Sequence, residues 1–395
     1  MKAKTLSIHG IHNKNYSGNK ELAAPINQTA TFYFDSIEDA EETFDCKNEQ
    51  YVYSRGRNPN LEELEDKITL LEEGGFTVSF SSGMGAIATL LLSLLKNGDK
   101  LLTHNILYGS SHNLINHILP EYGIMTKMMD LRELYDYDKN IKESKNKYGD
   151  YKVIYLETPA NPTLDIIDIG ALRKAVGDEV VIVVDNTFAT PVLQQPLLLG
   201  ADFVVHSATK YIGGHGDAIG GLVVGKDKNY EATLRFGYMC EFGTAMAPFN
   251  AWLFNRGLKT LEYRMKGHCQ NAMTVARYLE DHDKVGAVYY PGLSSFEGHE
   301  IAKKQMKDFG GMISFELKKK PISDSVDVAK SIKLVDNLKL FKIAVSLGDT
   351  ESLVEIPGKM THRGQDISQS LIRLSIGLED VEDLIDDLKQ ALEKI

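Results

Sequence analysis

An acid, two hydroxyls and an amine fall at the ends of two short apolar runs in this sequence. Val181–Val184 leads into Asp185, and Phe203–Val205 leads into Ser207, Thr209 and Lys210. A lysine can form a Schiff base with a carbonyl, and a carboxylate can hold a protonated pyridine nitrogen. Hydroxyls and backbone N–H groups can hold a phosphate. Together these are the requirements of pyridoxal 5′-phosphate (PLP). The competing reading makes Asp185 a turn cap and Lys210 a solvated lysine. Lys210, however, follows an apolar strand and precedes Y-I-G-G, which disfavours a freely solvated position.

Both runs are apolar throughout and do not alternate, as expected of buried parallel strands. In open α/β sheets the ligand crevice lies outside the carboxyl ends of such strands. Residues 58–225 read as alternating strands and helices, hence a mostly parallel sheet with helices on both faces. Pro59 and Asn60 start a helix whose stripe is Leu61, Leu64, Ile68 and Leu71, stopped by Gly74-Gly75. The strand F-T-V-S-F then turns through S-S-G-M-G-A into an apolar helix. Ser82, Gly83 and Met84 are the phosphate-loop candidates there, with tight strand–helix packing as the alternative. Tyr108 sits just past the strand K-L-L-T, where an aromatic ring can stack on a planar cofactor or simply pack. A polar helical stretch is expected up to about Asp150. After V-I-Y-L-E, the loop E-T-P-A-N-P-T offers the Asn161 amide to a ring hydroxyl, and Asp168 caps the next helix. The glycines from Gly213 to Gly221 lead into a strand, which does not fit a dinucleotide fingerprint.

Residues 1–57 read as an irregular arm, with a charged helical patch near Ser36–Phe44, that packs on something else, such as a second subunit. It ends in Y-V-Y-S-R-G-R-N-P-N, where Tyr53, Arg55 and Arg57 share one side if the piece is extended. Spacing does not choose between the arginines. A PLP-binding domain is expected over 58–250 and a smaller α/β domain over 251–395. A long helix from Ala247 to about Asp281, with Gly257 as a possible break, joins them. In the last part, Arg373 interrupts the apolar run L-I-R-L-S-I, so it must be paired or face a ligand. A guanidinium is a natural clamp for an α-carboxylate, and Ser346 could supplement it. A structural ion pair is the alternative.

The 395 residues carry a net charge of −11, which argues against nucleic acid and anionic membrane surfaces as partners. Cys46, Cys240 and Cys269 are too few and scattered for a disulfide framework or a zinc site, so no metal is expected. No apolar segment approaches the roughly 20 residues of a membrane span, and the start M-K-A-K-T-L-S-I-H-G lacks a signal-peptide core. A cytoplasmic enzyme is the expectation.

With these residues in place, the sequence resembles the Cys/Met-metabolism (trans-sulfuration) group of PLP enzymes: cystathionine synthases and lyases, methionine γ-lyase and homoserine-ester sulfhydrylases. Y-S-R-G-R-N-P, S-S-G-M-G-A, E-T-P-A-N-P-T, V-D-N-T-F-A-T-P, H-S-A-T-K-Y-I-G-G-H-G-D, A-V-S-L-G-D-T-E-S-L and L-I-R-L-S-I-G-L-E-D carry the resemblance from end to end. It implies the aspartate-aminotransferase-like α/β fold (PLP fold type I) and a homotetramer of two active dimers. It implies that Lys210 holds the cofactor and later shuttles protons, that Asp185 holds the pyridine nitrogen and that Tyr108 stacks on the ring. Gly83, Met84, Ser207 and Thr209 would bind the phosphate. Tyr53 and Arg55 would reach in from the neighbouring subunit, which selects Arg55 over Arg57. Arg373 would bind the substrate carboxylate, with Ser346, Asn161 and Tyr53 nearby.

The branch of the family is less uniform. Methionine γ-lyases have a cysteine after Y-G where this chain has Ser110, and a lysine-aspartate pair where it has Cys240-Glu241. E-F-G-T-A-M-A-P-F-N-A-W looks more like the homoserine-ester sulfhydrylases. Y-I-G-G-H-G-D, A-V-S-L-G-D and the compact length lean towards the lyases. The segment between Met360-Thr361-His362 and Leu371 is shorter than in most relatives. The reading is a C–S lyase of methionine γ-lyase type acting on a sulfur amino acid. A γ-replacement transferase using a homoserine ester is the alternative, and a non-catalytic PLP-binding relative the remote one.

Overall fold

The computed structural model describes residues 1–11, 14, 16, 21–45, 47–134, 148, 150–318 and 328–395. Among these, seven strands form the larger sheet: β1 (Phe76–Phe80), β2 (Lys100–His104), β3 (Met125–Met129), β4 (Val153–Glu157), β5 (Val181–Asp185), β6 (Phe203–Ser207) and β7 (Gly221–Gly225). Their order is β1-β7-β6-β5-β4-β2-β3. The stretch from β3 to β6 is parallel, as expected. β7 runs antiparallel to both β6 and β1. The segment between β6 and β7 is the glycine-rich loop that carries Lys210, and it contains no crossover helix, so β7 returns alongside β6 in the opposite direction.

Alternation along β5 shows why both faces need helices. Ile182 and Val184 join one core with Leu61, Leu64 and Leu172, from the helices Pro59–Leu71 and Ile169–Val176. Val183 joins the opposite core with Ile87, Leu90 and Leu91 of the helix Gly83–Leu94. Burying such a side chain fully contributes about 2 kcal/mol. Asp168 caps Ile169–Val176 as expected, accepting the Ala171 N–H at 2.8 Å.

A second sheet has the order β10-β11-β12-β9-β8, built from β8 (Val285–Tyr289), β9 (Met312–Leu317), β10 (Lys342–Ile343), β11 (Leu353–Glu355) and β12 (Ile372–Ser375). β11 has no counterpart in the sequence reading, since three residues are too few to show a period. The long helix expected over 247–281 is two helices, Pro248–Leu258 and Leu261–Glu280. They are separated at Lys259-Thr260 and not at Gly257. A Cβ on Gly257 would lie 2.5 Å from the Gly213 carbonyl oxygen, so this glycine lets the helix approach the lysine loop. The helix Leu261–Glu280 joins two cores: Leu261 and Met265 pack beneath the larger sheet, Val275 and Leu279 beneath the smaller.

In the N-terminal arm the helical patch expected near Ser36–Phe44 is present, and a second helix was not expected. Ala3–His9 is helical, and Ile37–Phe44 is a helix capped by Ser36, which accepts the Asp39 N–H. The Trp252 indole N–H donates to the Ala24 carbonyl at 2.8 Å, tying the arm to the body. Most of the polar helical stretch expected before Asp150 lies outside the described residues, as does Cys46.

Candidate active site

The carboxyl ends of β4, β5 and β6 open into a cavity of about 310 Å³, closed on its far side by Ser346, Leu347, Thr361 and Arg373 from the second sheet's neighbourhood. Among the described residues, a larger cavity of about 370 Å³ beside Arg132 and β8 is lined by no lysine, and the Arg132 guanidinium there is already paired with Asp165 and Glu297. The chemistry therefore belongs to the first.

At one end, helix Gly83–Leu94 points its N-terminus into this cavity. The first N–H groups of a helix have no intrahelical partner. Ser82 accepts that of Gly85 at 3.0 Å, leaving those of Gly83 and Met84 for an anion. A Cβ on Gly83 would fall 2.9 Å from Ser207 Cβ and 3.1 Å from its hydroxyl, so only glycine lets the helix start meet the end of β6. The Thr209 hydroxyl also lines the cavity, but it accepts the Gly220 N–H at 3.1 Å and faces the Gly220 carbonyl at 3.2 Å. It reaches a phosphate only by giving up that carbonyl.

Asp185 does both things its position suggested. One oxygen accepts the Thr187 N–H at 2.9 Å, an Asx turn; the other is met by the Tyr155 hydroxyl at the long distance of 3.4 Å. The Thr187 hydroxyl accepts the Ser207 N–H at 2.8 Å and joins the two strand ends. Burial raises the Asp185 carboxyl above its ordinary value, an effect opposed mainly by the Thr187 bonds. A protonated ring nitrogen beside the free oxygen would reverse that shift.

Lys210 donates to the Ser346 hydroxyl at 2.9 Å. Burial pulls its amine down to about 8, with the Arg373 charge adding to the effect and Asp349 and Glu355 opposing it. Ser346 has φ 142°, a conformation costing a non-glycine residue on the order of 1–3 kcal/mol. The same residue's carbonyl accepts from Arg373 Nη2 at 2.9 Å, so one strained backbone position joins lysine and arginine.

Arg373 is both the ion pair and the open clamp that its sequence context left undecided. Nη1 bonds Asn161 Oδ1 at 2.8 Å and Glu355 Oε1 at 2.9 Å. Buried Nε has no partner among the described residues, nor does Glu355 Oε2. Nε is thus a free donor, and Nη2 gives one of its two N–H groups to the Ser346 carbonyl, so the Nε–Nη2 edge keeps donors for a carboxylate. Asn161 is thereby engaged with Arg373. Glu355 accepts a further bond from the Thr361 hydroxyl at 3.0 Å. Tyr108 lines the cavity, 40% exposed, with His362 edge-on at 6.5 Å between ring centroids.

Tyr53 and Arg55 do not line this chain's cavity. Arg55 lies over the Tyr53 ring at 5.1 Å, while Arg57 is bound to Glu62 at 2.6 Å. Several lining residues escaped the sequence reading: Glu157, Thr187, Ile219, Val345 and Thr361. Glu157 ends β4 as Asp185 ends β5, and V-D-N-T is an Asx-turn pattern, so those two signals were there to find. Nothing local marks Thr361 or Val345.

An anion-binding helix start, an acid with one open oxygen, an amine held near neutrality and an aromatic wall fit PLP in charge, donors and size. The whole chain, residues 4–393, matches the family model described as Cys/Met metabolism PLP-dependent enzyme. The chain belongs to that family. An L-methionine gamma-lyase of Fusobacterium nucleatum subsp. nucleatum is 47% identical over 402 residues, covering 99% of this chain and 98% of that protein. A cystathionine beta-lyase of Lactococcus lactis subsp. cremoris is 42% identical, covering 99% of each. Among solved structures, a putative O-acetylhomoserine (thiol)-lyase of Campylobacter jejuni matches with TM-score 0.89 and 32% identity, covering 100% of both chains. It carries N′-pyridoxyl-lysine-5′-monophosphate. The expected fold class, family and cofactor are borne out: this is a PLP-dependent enzyme with a mixed α/β sheet and a smaller second sheet.

Proposed function

We propose that this enzyme is a C–S lyase of methionine γ-lyase type, converting methionine or homocysteine with water to 2-oxobutyrate, ammonia and, respectively, a thiol or hydrogen sulfide. One observation carries the reading. The Lys210 amine and Arg373 Nη2 meet at Ser346 while the neighbouring Nε stays free, so a substrate held there by its α-carboxylate brings its α-carbon to the base. The charged lining residues of this cavity are Glu157, Asp185, Lys210 and Arg373. Each is committed to the chain, the cofactor or the α-carboxylate, so among the described lining residues this chain offers no charge of its own to a second amino-acid end such as cystathionine's. Ile219, Val345 and Leu347 offer an apolar wall suited to a thioether methyl. Relatives at 43–47% identity named L-methionine gamma-lyase support the same choice.

In this reading Gly83, Met84 and Ser207 hold the phosphate, with Thr209 behind them, and Tyr108 covers the ring. When bound, PLP supplies an aldehyde that binds amines and a ring that withdraws electrons from the α-carbon. Asp185 keeps the ring nitrogen protonated. Lys210, neutral near pH 8, removes the α-proton and then a β-proton, and returns protons later. Arg373 and Asn161 hold the carboxylate in place, and Ser346 steadies the amine between steps.

The two sheets support a PLP-binding domain over 58–250 and a C-terminal domain over 251–395, since β1 to β7 fall in the first and β8 to β12 in the second. We read residues 1–57 as an arm to a neighbouring subunit of a homotetramer, with Tyr53 and Arg55 completing that subunit's site. Exposed Phe236, Phe242 and Phe249 are suited to such contacts. No helix among the described residues is long and apolar enough to cross a membrane. A cytoplasmic location suits the free thiols of Cys240 and Cys269.

The test is a product survey. Methionine alone should yield ammonia and 2-oxobutyrate. The competing reading, γ-replacement on a homoserine ester, is the one towards which the Campylobacter jejuni structure points. Turnover of O-acetylhomoserine plus sulfide without any turnover of methionine would establish it instead.

A further inference from the structure

Beyond the groups that meet the cofactor or substrate directly, the buried acid Glu157 has no assigned task. It ends β4 as Asp185 ends β5, and the two are Cα partners across parallel strands. It is only 5% exposed. Its two oxygens accept the same donor, the backbone N–H of Tyr108, at 2.9 and 3.0 Å. Tyr108 precedes a helix of five residues, Gly109–Asn113, and has no side-chain cap of its own. A helix that short does not hold its own N-terminus in place. On the other side, Gly109 lies so close to Thr361 that a Cβ would fall 2.0 Å from the Thr361 carbonyl oxygen. The tyrosine backbone is therefore fixed between an acid from the larger sheet and a loop beside the smaller one.

We propose that Glu157 is a positioning residue that acts through Tyr108, anchoring its backbone so that the ring covers the cofactor; this rests on the reading that Tyr108 stacks there. Two carboxyl groups on adjacent strand ends cannot both ionise cheaply in a buried site. Burial, with the Asp185 charge added, pushes Glu157 well above the carboxylate range. Burial raises both carboxyls, Glu157 the more strongly, which leaves Asp185 the better placed of the two to meet a pyridine nitrogen. The groups facing Glu157 include the Tyr108 and Asn161 N–H groups, the Ser111 hydroxyl, Asp185 and the Tyr155 hydroxyl. The anchor consequently works by hydrogen bonding and not by charge, which makes glutamine its closest substitute.

The test uses the purified holoenzyme and four variants: Glu157→Ala, Glu157→Gln, Tyr108→Ala and the double Glu157→Ala/Tyr108→Ala. Cofactor retention is read by dialysis against PLP-free buffer and by reconstitution titration. Visible circular dichroism reports how the ring is seated. Losing a buried hydrogen-bond anchor should weaken PLP retention roughly tenfold in Glu157→Ala. Glu157→Gln should recover most of that loss and keep the dichroic band. In the Tyr108→Ala background, Glu157→Ala should add less than about twofold, because residues acting as one unit are not additive. Equal losses in both backgrounds would overturn the proposal. So would a Glu157→Gln variant as weak as Glu157→Ala, since the carboxylate charge would then be what matters. If Glu157→Ala does not fold, the cycle is run with Glu157→Met, which fills the space but offers the Tyr108 N–H no oxygen. If Tyr108→Ala retains PLP like the native enzyme, the stacking reading fails first and takes the anchor with it, which is distinguishable from a failure of coupling.

Discussion

PLP-free enzyme should capture added PLP at a rate that climbs with pH to a midpoint near 8. Only the neutral amine of Lys210 is nucleophilic, and burial lowers that amine from 10.5 to about 8. The drop corresponds to about 3 kcal/mol of preference for the neutral form. At pH 7.5 it leaves about a quarter of the amine neutral, against roughly one part in a thousand for an ordinary lysine. Capture at that pH should therefore run on the order of a hundredfold faster than onto a solvated amine of equal nucleophilicity. Stopped-flow absorbance of PLP-free enzyme mixed with PLP from pH 6 to 10 measures the profile, with a free lysine derivative as control. Burial is the larger cause and Arg373 the next. Arg373→Gln should accordingly move the midpoint up while keeping it below 10.5. A native midpoint above 10 would refute the buried-amine reasoning, and a full return to 10.5 in Arg373→Gln would mean that charge, not burial, sets the value.

Three further outcomes follow from the same geometry. Asp185→Asn should bind PLP but lose at least about a hundredfold in 2-oxo acid release, since a neutral amide cannot hold the ring nitrogen charged. Gly83→Ala places a methyl 2.9 Å from Ser207 Cβ; it should cost about 1–3 kcal/mol of overpacking, read as a lowered melting temperature together with weaker PLP retention. Glu355→Gln removes the anion that compensates buried Arg373 and should destabilise the fold by up to about 3–5 kcal/mol. A carboxylate inhibitor should restore more stability to this variant than to the native enzyme in thermal-shift measurements; equal shifts would argue against the clamp.

Much of this site was legible because parallel strands deliver their chemistry at their ends. Asp185, Ser207 and Lys210 follow apolar runs whose lack of alternation marked buried strands, and the structure places them together. Gly83 was legible as a turn, although its real constraint, the contact with Ser207, spans more than a hundred positions and leaves no local mark. The two readings of Arg373 could not be separated in the sequence because its partners come from afar. Asn161 is 212 positions away, and Glu355 lies in a three-residue strand followed closely by Pro357. Glu157 was overlooked for another reason: it was read as the end of the strand V-I-Y-L-E and the start of a proline loop, but no role was drawn from the strand-end position that gave Asp185 away. The split of the 247–281 helix at Lys259-Thr260 was hidden because neither residue is a glycine or proline.

One oxygen of Asp185 is spoken for before any ligand arrives. With the Thr187 amide latched to it, the carboxylate cannot swivel about its terminal torsion without breaking that bond. Its remaining lone pairs hold one compass heading, fixed while the chain folds and not when the vitamin docks. A heterocycle entering a little askew would present its nitrogen to empty space, so the protein selects by angle as well as by sign.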